Sequence, residues 1–319
     1  NTRDFRLLYE APCIDAGAES AQTRDLANTP RPQARTFGGP TYYDLGAYEY
    51  APVARYVWTN GSHQAPYDGW STAATNVQAA LDVSAGGDRI LVGDGVYAPF
   101  TSTNAVIIKS LHGPDATLVD GLGTARAVDL GGGAVLDGFR LRRGWATDCG
   151  GLRARGGSLV QNCIIENNEA TGQGGGLCLT ENSRALDCIM VSNRAWNGAG
   201  VYASTGTVKD SSLMWNIGTA GSGGGAYLDS GSAMARCLVA GNSNRFGGGV
   251  YSREATLDNC TIISNRAELL GGGLQVEGGL TRNSLLTGNQ AGSQGGGVYA
   301  GTTGLLINLT IADNRSPQG

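Results

Sequence analysis

Arg140 and Arg142 stand two residues apart, with apolar Phe139 and Leu141 at the alternate positions, so on an extended strand both guanidinium groups point to one side. Asp137 lies just before them and Glu166 follows, with Asp120, Asp129, Arg143 and Arg153 in the same part of the chain. Paired carboxylates beside a basic side chain can hold a cation and move a proton. The plainer account is a solvated strand face, since these residue types are mostly exposed. Arg140, Arg142, Asp137 and Glu166 therefore stand as weak catalytic candidates, and no catalytic set is assigned. His63 and His112 are isolated, no Cys-x-x-Cys or Cys/His cluster marks zinc, and the nonapeptide calcium repeat is absent, so no metal site is assigned. A second set is Tyr202, Tyr227, Tyr251 and Tyr299, at spacings of 25, 24 and 48 residues. If these rings face outward, they form a stripe able to meet a glycan or a lateral partner.

That spacing belongs to a longer pattern. Glycine-rich triplets are followed by an aliphatic anchor at Leu152, Leu177, Val201, Ala226, Val250, Leu274 and Val298, every 24 or 25 residues. In step with them run Asn168, Asn193, Asn216, Asn242, Asn265, Asn289 and Asn314. Each follows by five residues a small or apolar position held by Cys163, Cys188, Ser211, Cys237, Cys260, Ser284 and Leu309. A fixed period of this length is the signature of a solenoid, whose repeats bury their apolar faces against one another. Alternation around the anchors and the abundance of β-branched residues argue for strands, and glycine triplets would melt a helix. The pattern predicts an all-β chain, a parallel β-helix of about ten coils. Glycine should serve positive φ or close backbone approach at one corner, and asparagine αL backbone at another. Inward asparagines can also bond to one another from coil to coil. The cysteines on the ladder are expected to be buried free thiols, while Cys13, Cys149 and Cys178 lie off it, and the sequence alone does not assign their pairing.

Gly247-Gly248-Gly249-Val250-Tyr251 and Cys260-Thr261-Ile262-Ile263-Ser264-Asn265-Arg266-Ala267 resemble the right-handed β-helix repeats of bacterial surface proteins in the pectate-lyase-like superfamily. The resemblance implies a right-handed solenoid, secreted or held at a bacterial cell surface. It extends to polysaccharide lyases, which use an arginine or lysine base near calcium-binding carboxylates; calcium is thus the one cofactor it implies, and polysaccharide one class of partner. Composition adds exclusions. With 52 glycines, 16% charged residues and a net charge of −4, neither nucleic acid nor an anionic membrane is an expected partner. No apolar run approaches the roughly 20 residues a transmembrane helix needs.

Taken in order, residues 1–55 are expected to form a capping segment, 56–88 a first strand, loop and short N-terminal capping helix, and 89–319 the β-helix. Asp4-Phe5-Arg6-Leu7-Leu8, Ala11-Pro12-Cys13-Ile14-Asp15-Ala16-Gly17 and Asp44-Leu45-Gly46-Ala47-Tyr48-Glu49-Tyr50 resemble the choice-of-anchor Q domain, which closes the last coil of a β-helix. Here such a segment comes first, and the start at Asn1 suggests a mature or excised product. The expected partner is therefore another copy, bound head to tail. Asp4, Phe5, Leu7, Leu8, Ile14, Leu45 and Tyr48 would cover Leu309, Ile311 and Asn314 of its neighbour and build a filament or surface layer. An excised segment of a longer tandem protein and a polysaccharide-binding protein or lyase are the competing readings.

Overall fold

The structure, a computed structural model, describes residues 12–18, 22–34, 40–45, 51–301 and 303–318. Four parallel sheets run along the stack. Sheet one has eleven strands, from Ala54–Val57 to Gly304–Ile307. Sheet two has ten, from Gly95–Tyr97 to Thr310–Ala312, and sheet three nine, from Phe100–Ser102 to Val298–Ala300. Sheet four, of seven mostly two-residue strands, runs from Trp145–Ala146 to Gln290–Ala291. Nine turns therefore carry a strand in each of the first three sheets, one fewer than expected, because the turns at either end are incomplete.

Strands of three residues are the rule because two corners interrupt each coil. The first lies between sheets one and two and holds Asn162, Asp187, Asp210, Arg236, Asn259, Asn283 and Asn308, all at φ between 51° and 54°. The second, after sheet two, holds Asn167, Ser192, Trp215, Gly241, Ser264, Gly288 and Asp313, again at positive φ. The αL backbone thus belongs to the residue just before each ladder asparagine, not to the asparagine itself. The asparagines serve hydrogen bonding. Asn168, Asn193, Asn216, Asn242, Asn265 and Asn289 are buried, and each uses Nδ2 to reach a carbonyl in the coil before it and Oδ1 of the next asparagine. Each Oδ1 also accepts the backbone N–H one coil back, as Asn265 Oδ1 does from Asn242 at 2.9 Å. Buried amides in such a chain are fully satisfied, which is the condition for keeping them in an apolar core.

The glycine triplets fit around this ladder. Their first member has positive φ, as in Gly247 (54°) and Gly271 (66°). The third lies so close to the next coil that a Cβ on Gly249 would stand 2.5 Å from the Gly273 carbonyl and 2.9 Å from the Asn265 amide. Both uses assigned to glycine occur, at different positions of one triplet. Inside, the main core runs from Val57 to Leu286, with the aliphatic anchors from Leu152 to Leu274 fully buried and Val298 partly so. Fully burying each such side chain contributes about 1.5–3 kcal/mol.

The first coil is closed by a helix, α1 (Val77–Asp82), which turns Val77, Ala80 and Leu81 into the core. Asn76 caps it, its Oδ1 accepting from Ala79 N at 2.8 Å. Gln78 then reaches the uncovered edge of sheet three and accepts the Thr101 N–H at 2.9 Å, blunting an edge that would otherwise pair with another chain. Within the leading segment, Gln33–Ala34 pairs antiparallel with Thr41–Tyr42, and Gly17 bridges to Tyr43.

Candidate functional site

The acidic and basic candidates fall on three different faces. On sheet two, Arg140 and Arg142 point outward around buried Leu141. Arg140 bonds Glu166 at 2.9 Å and Asp115 at 2.5 Å, while Arg142 and Arg143 converge on Asp120 at 3.2 and 2.5 Å. Asp137 lies on sheet one, bonded to Lys109 at 2.9 Å and to Asn162 at 2.7 Å. Asp129 lies on sheet three. It accepts two bonds from Arg153, one at 3.1 Å from Nε, with Arg126 at 3.3 Å and Arg155 at 3.5 Å. Neighbours in sequence are turned apart by the corners onto different sheets, and Arg140 and Arg142 on sheet two share no groove with Asp129 on sheet three.

Electrostatics follow the pairing. The Arg143 hydrogen bond holds the Asp120 carboxyl below the usual carboxylate range. At Asp129 burial pushes upward, but Arg153 with Arg126 and Arg155 outweighs it and the net shift is down. Asp137 likewise sits low, with Asn162 and Lys109 overcoming burial. Arg143 and Arg153 are in turn held more firmly protonated by Asp120 and Asp129. A guanidinium locked to a carboxylate is held charged by it and is a poor proton acceptor. Among the described residues no three His, Cys, Asp or Glu side chains gather as around a metal ion.

The outer face of sheet three carries the tyrosines. Val201, Ala226 and Val250 point into the core and Tyr202, Tyr227 and Tyr251 outward, half-buried. Their rings stack at centroid distances of 5.2 and 4.9 Å with interplanar angles of 23° and 21°. Gln275 occupies the next rung, between Tyr251 and Tyr299, and separates Tyr299 from the stack. Burial, with Glu277 beside it, pushes the Tyr251 hydroxyl up to about 12. Because the ring faces lie against one another, the ladder offers edges and hydroxyls to its surroundings. One rung earlier on the same column, Cys178 is disulfide-bonded to Cys149, a pair that sequence reasoning left open. Cys163, Cys188, Cys237 and Cys260 are buried free thiols.

The other notable surface is the open last coil. Ile311 points inward in the column of Val239, Ile262 and Leu286, yet is 51% exposed where those three are 0%. Leu309 is partly buried against the core. A cavity of about 540 Å³ opens there between residues 295–298 and 311–316. Asn314 is the last rung: its Oδ1 accepts from Asn289 and its Nδ2 donates to Leu286 O at 2.9 Å. Of the expected lid, Ile14 is 4% exposed and Leu45 57%; Asp4, Phe5, Leu7, Leu8 and Tyr48 lie outside the described residues.

Parallel coils around an asparagine ladder define a β-solenoid. The chain belongs to the right-handed β-helix family: the family model described as "Right handed beta helix region" matches residues 150–316, which also sets the hand of the coil. No curated protein matches the chain in sequence. Among solved structures, it is similar to the pectin methylesterase of Aspergillus niger in deglycosylated form, at 14% identity over 82% of this chain and 87% of that one, with a TM-score of 0.47. It is also similar to the A-module of the Azotobacter vinelandii mannuronan C-5 epimerase AlgE4, at 12% identity, 76% and 92% coverage and a TM-score of 0.36. Overlap this loose carries no site from those proteins to this chain.

Proposed function

We propose that the protein is a structural β-helix, secreted or held at a bacterial cell surface, that joins copies end to end. In this reading residues 1–50, the part resembling choice-of-anchor Q, complete the open last coil of a neighbouring copy. The observation that carries it is Ile311, an inward side chain half open to water in the last described coil, at the end of a column whose other described members are buried. In every earlier rung the asparagine N–H and its second amide proton go to the next asparagine, so the backbone N–H and amide of Asn314 are placed to meet an incoming acceptor. Apolar side chains and an unpaired strand edge together are the surface that strand addition covers. The Cys149–Cys178 disulfide is in keeping with an oxidising compartment. Among the described residues no helix is long and apolar enough to cross a membrane.

Complementation tests this. Ile311→Asp blocks one end and Leu8→Asp the other, so each variant alone should sediment as a monomer while the native chain forms longer species. Mixing the two variants should restore a single junction and give dimers. A native chain that stays monomeric as concentration rises, or variants that assemble as it does, would overturn the reading. Polysaccharide contact is a second reading, favoured by sheet three, where outward tyrosines continue the column of Asp129 and Arg153. Retardation in gels containing a polyuronate, lost on Arg153→Ala, would support it.

A further inference from the structure

The first coils carry a hollow that neither end-to-end joining nor the candidate arginines use. Trp58 follows strand Ala54–Val57, Gly93 and Asp94 follow Arg89–Val92, and Leu111 and His112 follow Ile107–Ser110. The parallel register pairs Val57 with Val92 and Val92 with Ser110. Trp58, Gly93 and Leu111 therefore fall at one corner position in three consecutive layers, with Asp94 and His112 one step beyond. Trp70 comes in from the loop before α1. These six residues line a hollow of about 280 Å³.

Its floor and walls are specific. A Cβ on Gly93 would lie 3.0 Å from Trp58 Cδ1 and 3.3 Å from Trp70 Cζ3, so both indoles close over that glycine. Trp70 is braced from behind by Tyr56, edge-on at 4.9 Å between centroids. Trp58 is 37% and Leu111 47% exposed. The polar groups are few: Asp94, whose Oδ1 accepts from His112 Nδ1 at 2.8 Å, and that imidazole. Among the described residues no lysine or arginine lines the space.

That inventory selects a ligand. A sugar ring needs several donors and acceptors around its hydroxyls, and this hollow has one carboxylate and one imidazole already bonded to each other. A purely apolar group would cover the indoles but make no use of the Asp94 carboxylate at the rim. A cation with an apolar surface meets both conditions: indole faces attract it through the ring quadrupole, and the carboxylate supplies the opposite charge. We infer that the Trp58–Trp70 hollow binds a quaternary ammonium group, such as the trimethylammonium end of choline.

Binding is read from the N-methyl proton resonance of choline chloride titrated with the intact protein, against sodium chloride at equal ionic strength. Indole ring currents should move that signal upfield. Trp58→Ala should weaken binding about two- to fivefold, the range of one exposed cation–π contact, and Asp94→Asn should weaken it as well. Both side chains are substantially exposed, so an unchanged circular dichroism spectrum and melting temperature are expected and keep the comparison meaningful. The uncharged isostere 3,3-dimethylbutan-1-ol should bind at least about fivefold more weakly than choline. Co-sedimentation with phosphatidylcholine vesicles separates a membrane headgroup from a soluble one, and binding to either upholds the inference. No shift with choline, equal binding of the neutral isostere, or binding of glucose in preference to choline would overturn it.

Discussion

Removing one rung from the asparagine ladder should be far more damaging than removing a charged pair from the surface. Asn242→Ala is the sharpest case. The Asn242 side chain accepts from Asn216 N and Asn216 Nδ2, both at 2.9 Å, and donates to Leu213 O at 2.8 Å and Asn265 Oδ1 at 3.0 Å. Truncation leaves the Asn216 N–H and one Asn216 amide proton without partners in a buried site; the Leu213 carbonyl keeps its strand pairing in sheet two and Asn265 Oδ1 keeps its bond from the Asn242 N–H. At about 1–3 kcal/mol for each orphaned group, and allowing for a water drawn into the gap, the loss should be about 2–5 kcal/mol. That is a large share of the roughly 5–15 kcal/mol by which domains are stable. A solenoid unfolds by neighbouring repeats, so a single melting temperature understates local damage. Amide hydrogen exchange is the better assay: protection of Asn216 and its flanking coils should collapse first, with urea denaturation shifted in parallel. The exposed Arg236→Ala, which breaks only the Asp210 pair, should leave both readouts unchanged. If Asn242→Ala kept Asn216 protected and denatured like the native chain, the ladder would not hold the coils together as described.

Other outcomes follow from the same packing. Gly249→Ala forces a methyl against the Gly273 carbonyl and the Asn265 amide and should cost about 1–3 kcal/mol by urea titration. Gly113→Ala, with nothing within 4 Å of the added carbon, meets only its positive φ and should cost less. Reducing Cys149–Cys178, which spans 29 residues, should lower stability by about 2–4 kcal/mol in scans with and without reductant, while Cys163, Cys188, Cys237 and Cys260 resist alkylation until the protein unfolds. The folded carboxyls of Asp120, Asp129 and Asp137 titrate below their unfolded values. Their stabilisation is therefore complete above about pH 4 and lost as pH falls through the depressed folded values. Melting temperature should drop on acidification below that point, and less steeply in Asp129→Asn.

The coil stack was legible because it must be written twice. Glycine where backbones approach and asparagine where amides bond both recur once per turn, so Gly249 and Asn265 announce the same period. The helix over Val77–Asp82 was legible from Asn76 and the spacing of Val77, Ala80 and Leu81. Asparagine does hold αL backbone at the corner of Asn162, Asn259, Asn283 and Asn308, but the ladder asparagines do not: Ser264 and Gly288 take that conformation while Asn265 and Asn289 use their amides. The disulfide was hidden because Cys149 and Cys178 lie 29 residues apart, one period plus the few residues by which the glycine corner folds back under the strand. The indole hollow was hidden for a different reason. Trp58, Gly93 and Leu111 are 35 and 18 residues apart, and irregular early coils leave no period to read. Arg140 and Asp129 are close in sequence, but the corners of the coil place them on different sheets.

Electron cryo-microscopy of the purified chain at high concentration bears most directly on end-to-end assembly. Rods with an axial repeat of at least about 50 Å are expected, from eleven stacked strand layers at about 4.8 Å each, with density for residues 1–50 of one copy lying against Ile311 and Asn314 of the next. Isolated particles one molecule long, or copies joined only side to side with Ile311 facing water, would contradict it.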